Sequence, residues 1–169
     1  MKKIISDKLP RILKNKKKLQ EKLNVKITNR GKEVYLKGNA ADEYIAELVI
    51  DALNFGFEYN TAIMIKEENF TFERLHIKDY TKRNDLERVR GRIIGKQGKT
   101  LKTIEQLTKC FIALKGNEVG IIGPAENIEN AQNAITSIIR GSKQSNVYSF
   151  LEKHQIKTAI DLGLKDNFK

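Results

Sequence analysis

The sequence predicts an α+β protein built from two related units, and three observations carry that prediction. Val25–Gly56 and Cys110–Gly141 register without a gap when the chain is slid by 85 positions, so that Gly31, Gly38 and Gly56 fall on Gly116, Gly123 and Gly141. Within each copy the apolar residues pass from two short runs to a helical spacing. The 169 residues, 40% of them hydrophobic, suffice for one large domain or two small ones. A unit of ~45 residues buries too little surface to stand alone, which favours two copies packed together.

The elements follow in order. In the first copy Val25–Thr28, Gly31, Val34–Leu36 and Gly38 read as strand, turn, strand and turn, and a helix carrying Tyr44, Ile45, Leu48, Val49, Ala52 and Leu53 ends at Gly56. The stretch from Phe57 to Ile77 connects the copies; its run Ala62–Ile65 is too short for periodicity to decide between helix and strand. In the second copy Cys110–Leu114 is an apolar run, Lys115-Gly116-Asn117 a turn signal, and Val119–Ile122 a second run closed by Gly123-Pro124, together a hairpin. From Ala125 onward, Ile128, Ala131, Ile135, Ile138 and Ile139 line one helical face, with Arg140 in the last turn and Gly141 just past it.

Charge narrows the function. The chain carries 32 Lys and Arg against 21 Asp and Glu, a formal +11. Residues 1–37 hold +10, residues 38–81 hold −6, residues 82–109 hold +6 and residues 110–169 hold +1. Two separate basic blocks suit a nucleic-acid backbone better than a membrane surface, which is usually met by one amphipathic helix. For Lys16-Lys17-Lys18 a solvated helix face is an equal reading. No apolar run approaches the ~18 residues of a membrane span, and the charged N-terminus has no signal-peptide core. Cys110 is the only cysteine and His76 and His154 lie far apart, so neither an intramolecular disulfide nor a standard zinc site, nor any cofactor, is expected.

The copies differ in what precedes the hairpin. Before the second stands Arg92-Ile93-Ile94-Gly95-Lys96-Gln97-Gly98-Lys99-Thr100-Leu101-Lys102-Thr103-Ile104. Leu101, Ile104 and Leu107 share one face of a helix beginning near Lys99, and a helix from about Asn84 leads into Gly95. Glycine at both ends lets the backbone turn tightly and leaves no Cβ to hold off a ligand. The new helix offers free N–H groups and the positive end of its dipole to a phosphate. Gly98-Lys99-Thr100 has the ending of a Walker A loop, but that loop needs glycine at position 93, which is Ile. Between Met1 and Gly31 there is no glycine, and Leu13–Leu19, each with a β-carbon, stands where the first copy's turn would lie.

Ile-Ile-Gly-x-x-Gly-x-x-Leu-x-x-Ile, followed by hairpin and helix, resembles the signature of the KH domain, whose GXXG loop clamps the backbone of about four nucleotides. Lys78-Asp79-Tyr80 and the run from Arg88 to Lys96 resemble the archaeal and eukaryotic small-subunit rRNA maturation factors of the partner-of-Nob-one family, and Asn146–Glu152 is similar to that family's segment after the last KH helix. The similarity spans roughly residues 8–155; a KRR-one type assembly factor shares the two-KH layout. It implies two tandem KH-like (type I, βααββα) units packed together, the first degenerate. The divisions are 1–57 for a degenerate KH-like domain without GXXG, 58–70 for a linker, 71–142 for an intact type I KH domain and 143–169 for a C-terminal tail.

The resemblance further implies a non-catalytic adaptor that binds the 3′ region of precursor small-subunit rRNA and assists its 3′-end processing. Its partners would be single-stranded pre-rRNA, a PIN-domain endonuclease and the pre-ribosomal particle; the protein would be a cytoplasmic monomer with no membrane contact. The family's RNA contacts transfer to Gly95, Lys96, Gln97 and Gly98, with Arg90, Arg92, Ile94, Lys99 and Lys102 alongside. The short lead before the first unit fits an archaeal form, and Lys109 stands where many KH domains place glycine. A general single-stranded-RNA regulator and an accessory subunit of an RNA-degrading complex are the alternatives. Of the remaining residues, His76 reads as strand surface, Cys110 as core packing, and Tyr148 and Phe150 as docking the tail onto the sheet, with stacking on RNA as the alternative. Arg88, Arg90 and Arg92 cannot all face one way on a helix.

Overall fold

The computed structural model describes residues 1–67 and 69–155; residues 156–169 of the tail lie outside the described residues. The chain runs β1 (Lys2–Ile5), α1 (Leu9–Lys14), α2 (Lys16–Leu23), β2 (Lys26–Arg30), β3 (Glu33–Lys37), α3 (Ala40–Phe55), α4 (Tyr59–Ala62) and a 3₁₀ turn (Ile63–Lys66). It continues with β4 (Phe70–His76), α5 (Leu86–Ile94), a 3₁₀ turn (Lys96–Gly98), α6 (Lys99–Thr108), β5 (Phe111–Lys115), β6 (Glu118–Pro124), α7 (Ala125–Ile139) and α8 (Gln144–Lys153). The order βααββα thus occurs twice. Each set of strands forms an antiparallel three-stranded sheet, β1-β3-β2 and β4-β6-β5.

The 85-residue spacing holds at the level of backbone and side-chain detail. β2 and β5 occupy matching positions, as do the starts of α3 and α7. Asn24 and Lys109 end α2 and α6 in the same left-handed conformation, each with φ 54°. Gln20 Oε1 accepts the Ile27 N–H at 2.8 Å, and Glu105 Oε1 accepts the Ile112 N–H at 2.8 Å. Gly38 and Gly123 share one reason for being glycine. A Cβ on Gly38 would lie 2.9 Å from Val25 Cγ1, and one on Gly123 2.5 Å from Cys110 Sγ, because the chain entering each hairpin crosses there.

The two sheets are buried differently. β3 alternates, with Val34 and Leu36 inside and Glu33, Tyr35 and Lys37 outside, so its sheet has one wet face. In β6 every residue from Val119 to Gly123 is buried. Val119 and Ile121 join the core beneath α5, α6, α7 and α8. Ile122 and Phe72 join the first unit's core on the opposite face, with Phe55, Phe57, Ala62 and Ile65. Phe55, Phe57 and Phe72 meet with ring centroids 5.7–5.9 Å apart. Gly120 is the notch that admits them, since a Cβ there would lie 2.7 Å from Phe55 Cε1 and 3.0 Å from Phe57 Cε2. Within 58–70, Ala62 and Ile65 are buried in this contact, and Ala62–Ile65, which periodicity left open, is helical.

Candidate nucleic-acid interface

The turn Gly95–Gly98 joins α5 to α6 at the surface. Three of its four residues have positive φ: Gly95 at 75°, Gln97 at 56° and Gly98 at 74°. The Gly95 N–H ends α5 by donating to Gly91 O at 2.9 Å, and the Gly98 N–H closes the turn on Gly95 O at 3.2 Å. Lys96 and Gln97 stand exposed at the apex. No side chain caps α6; its Lys99 N–H closes the turn on Lys96 O, and the start of the helix places the positive end of its dipole beside the turn.

The two glycines serve different purposes, and this corrects the expectation that both keep a ligand's path clear. A Cβ on Gly98 would meet nothing within 4 Å, so that side is open. A Cβ on Gly95 would lie 2.5 Å from Thr100 Cβ and 2.8 Å from Thr100 N. The missing side chain at Gly95 makes room for the buried Thr100 on the first turn of α6, fixing the angle at which α6 leaves. Thr100 went unnoticed in the sequence because nothing in its spacing signals a contact five residues back.

The first unit departs further than the sequence indicated. Instead of a GXXG stretch refilled with side chains, the turn is missing: α1 ends at Lys14, α2 begins at Lys16, and Asn15 alone joins them.

The cations named from the sequence separate into groups. Lys96 and Lys99 are exposed at the turn and the start of α6. Ile94 is 40% exposed beside them, an unusual state for a large aliphatic residue. Leu101 is half-buried on the second core. Arg90 reaches across to the β5–β6 turn, donating to Gly116 O at 3.1 Å. Arg92 turns toward α7, its Nη1 donating to Ile138 O at 3.1 Å and its Nη2 to Ser142 O at 2.7 Å. Lys102 shares a face with Lys99 and lines a different groove of about 410 Å³ with Met64, Phe70 and Phe111.

The other residues of interest stay structural. His76 sits on β4 with Nδ1 3.3 Å from Glu118 Oε1, largely exposed. Cys110 is buried, and burial pushes its thiol up to about 11, so it is not an activated nucleophile. Tyr148 and Phe150 pack on the second core; α8 lies across α6 and α7 and not on the sheet as expected. Among the described residues no group of His, Cys, Asp and Glu could hold a metal ion, and no helix is long and apolar enough to cross a membrane.

A family model described as eukaryotic type KH-domain (KH-domain type I), the second KH domain of the PNO1 type, matches residues 71–156. The pre-rRNA-processing protein PNO1 of Chaetomium thermophilum is 35% identical over 141 residues, 79% of this chain and 54% of that protein. A KH domain-containing protein of Methanocaldococcus jannaschii is 33% identical over 110 residues, 64% of this chain and 48% of that protein. The chain spans about half the length of the curated relatives it matches. Crystalline Dim2p from Pyrococcus horikoshii superimposes with a TM-score of 0.84 at 28% identity, covering 90% of this chain and 98% of that one. In an a/eIF2alpha-aDim2p-rRNA complex from the same organism the values are 0.83, 28%, 91% and 93%. Built around an open GXXG turn between two helices of a type I KH unit, the chain belongs to the partner-of-Nob-one family of KH-domain proteins.

Proposed function

We propose that this protein is a non-catalytic RNA-binding adaptor of small ribosomal subunit maturation, holding the 3′ region of precursor small-subunit rRNA at Gly95–Gly98. The observation that carries this reading is the surface turn itself: Gly98 leaves one side bare, and the uncapped start of α6 lies next to it. A phosphate seated there accepts backbone N–H groups while Lys96 and Lys99 supply charge. Bases lie over Ile94 and the half-buried Leu101. Each phosphate neutralised contributes a slope of about −0.7 in log affinity against log salt.

Support for the ribosomal substrate comes from a Chaetomium relative named as a pre-rRNA-processing protein and from a Pyrococcus Dim2p crystallised with rRNA. A PIN-domain endonuclease is the catalytic partner in this reading, the chain itself acting as a cytoplasmic monomer. Crosslinking in cells tests it. Reads concentrated at the small-subunit rRNA 3′ region are expected, and reads spread over messenger RNAs would overturn the ribosomal role in favour of a general regulator.

A further inference from the structure

From the end of β4 at His76 to the start of α5 at Leu86 the second unit uses nine residues, where the first unit crosses from Ile5 to Leu9 in three. The longer crossing, the first turns of α5 and the β5–β6 turn enclose a cleft of about 620 Å³. Lys78, Lys82, Arg83 and Arg90 line it, with Thr81 and Asn117 adding neutral hydrogen-bonding groups. Asp85 and Glu87 are its carboxylates, and Asp85 is already engaged as the cap of α5, accepting the Arg88 N–H at 3.2 Å. Among the described residues none of the four cations is in an ion pair. Four cations around one cleft repel one another, and a polyanion entering it relieves that repulsion.

Contacts at the rim and behind it set the shape of the cleft. The Ile77 N–H donates to Asn117 O at 2.9 Å, tying the crossing to the hairpin turn. Tyr80 packs on the second core and carries the Arg140 guanidinium 5.6 Å from its ring centroid. Arg90 joins the cleft to the GXXG turn, because both lie on α5. That helix is nine residues long, or ~13 Å, a short span for a single strand.

We propose that this cleft is a second phosphate subsite, taking the sugar–phosphate backbone of the same RNA strand after it leaves Gly95–Gly98. The proposal rests on the RNA-binding reading above and extends the footprint of the KH unit beyond its loop. An acidic protein segment is the competing occupant; continuity with the loop through Arg90 favours RNA.

The test uses the full chain and RNAs of six and ten nucleotides ending at the small-subunit rRNA 3′ end, with affinity measured across a salt series. Replacing Lys82→Ala together with Arg83→Ala is expected to weaken the ten-nucleotide RNA about tenfold and to make its salt slope shallower by about 1.4, two phosphates' worth. The six-nucleotide RNA should bind as to the wild type. Lys16→Ala with Lys17→Ala removes the same charge elsewhere and should change neither. Equal loss on both RNAs, or no loss on either, would overturn the proposal, the latter pointing to a protein occupant. The reading beneath it fails separately: a Lys96→Asp, Gln97→Asp protein that still binds both RNAs normally would sink the loop itself.

Discussion

Arg11 and Arg92 perform the same task in the two units. Arg11 Nη1 donates to Gly56 O at 2.7 Å and Phe57 O at 3.1 Å, past the end of α3. Arg92 donates to Ile138 O and Ser142 O at the end of α7. Each guanidinium, carried on the first helix of its unit, donates to carbonyls at or just beyond the C-terminus of the third helix and faces the negative end of its dipole. The two arginines are 81 residues apart, whereas everything downstream repeats at 85. The first unit is therefore four residues shorter from Arg11 to Asn24 than the second from Arg92 to Lys109, and most of the difference is the turn, where Asn15 alone stands in place of Gly95–Gly98.

Arg92 is thus expected to act on stability before affinity. Arg92→Met should cost about 1.5–3 kcal/mol, the range for hydrogen bonds to a charged group, read as a lower urea midpoint with an unchanged m-value. RNA affinity well below the melting temperature should fall by less than threefold. A large affinity loss at full stability would place Arg92 on the RNA.

The loop pair behaves oppositely. Lys96→Asp with Gln97→Asp places two carboxylates at the positive end of α6 beside the phosphate path, and both positions are exposed. Filter binding should show at least a tenfold loss, and the melting temperature should stay within about 2 °C, as for surface changes generally.

Gly95 and Gly98 should separate under substitution. Gly98→Ala pays only for a side chain in the left-handed region, about 1–2 kcal/mol, since nothing lies within 4 Å. Gly95→Ala adds a collision with Thr100 to that strain, and should cost well over 2 kcal/mol in chemical denaturation or prevent folding. Equal costs at the two sites would mean Thr100 does not press on the turn.

Burial of Cys110 gives a pH signature. Its thiol is raised from the ordinary 9.0 to about 11, so the folded state favours the protonated form. The associated stability is complete below pH 9 and is lost as pH rises toward 11. Unfolding midpoints should decline over that window, and less steeply in Cys110→Ala. Alkylation of the native thiol at pH 8 should be slow compared with the urea-unfolded chain.

Gly120 links the two cores. Gly120→Val inserts a branched side chain where Phe55 and Phe57 already lie within 3.0 Å of a Cβ. Overpacking of this kind costs about 1–3 kcal/mol or more, and it should lower the thermal midpoint while leaving the strand order of both sheets intact by hydrogen exchange.

Much of this was readable in advance because it is local. The hairpins and third helices stand where alternation, turn residues and helical spacing put them, and the shared glycines keep the same conformations: φ 59° at Gly31 and 58° at Gly116. The turn at Gly95–Gly98 was readable for the same reason, since glycine spacing and flanking apolar residues are properties of a short window. The four-residue loss was not, because an alignment anchored on the hairpin passes over Arg11 and Arg92 at a different offset. One overlooked signal was the contrast between Glu33-Val34-Tyr35-Leu36 and Glu118-Val119-Gly120-Ile121-Ile122. Alternation marks a sheet with one wet face, and an apolar run through a glycine marks one covered on both.

Short windows of the chain were enough for the two hairpin-and-helix copies, the excess of positive charge and a turn capable of admitting a phosphate, because propensity, periodicity and charge act over a few neighbouring residues; the strand that opens each unit and the first unit's helix pair were implied only by the KH resemblance. Which cations are tied to carbonyls depends on packing across the fold. Arg92 is held by α7, and Arg90, bonded to a hairpin turn, lines one cleft with Lys78, Lys82 and Arg83, since hydrogen-bond partners 26–50 residues away become neighbours only when the helices close over the sheet. The tertiary structure also decided that β6, the central strand of the second sheet, is buried on both faces, because only packing of the two units brings Phe55 and Phe57 against Gly120.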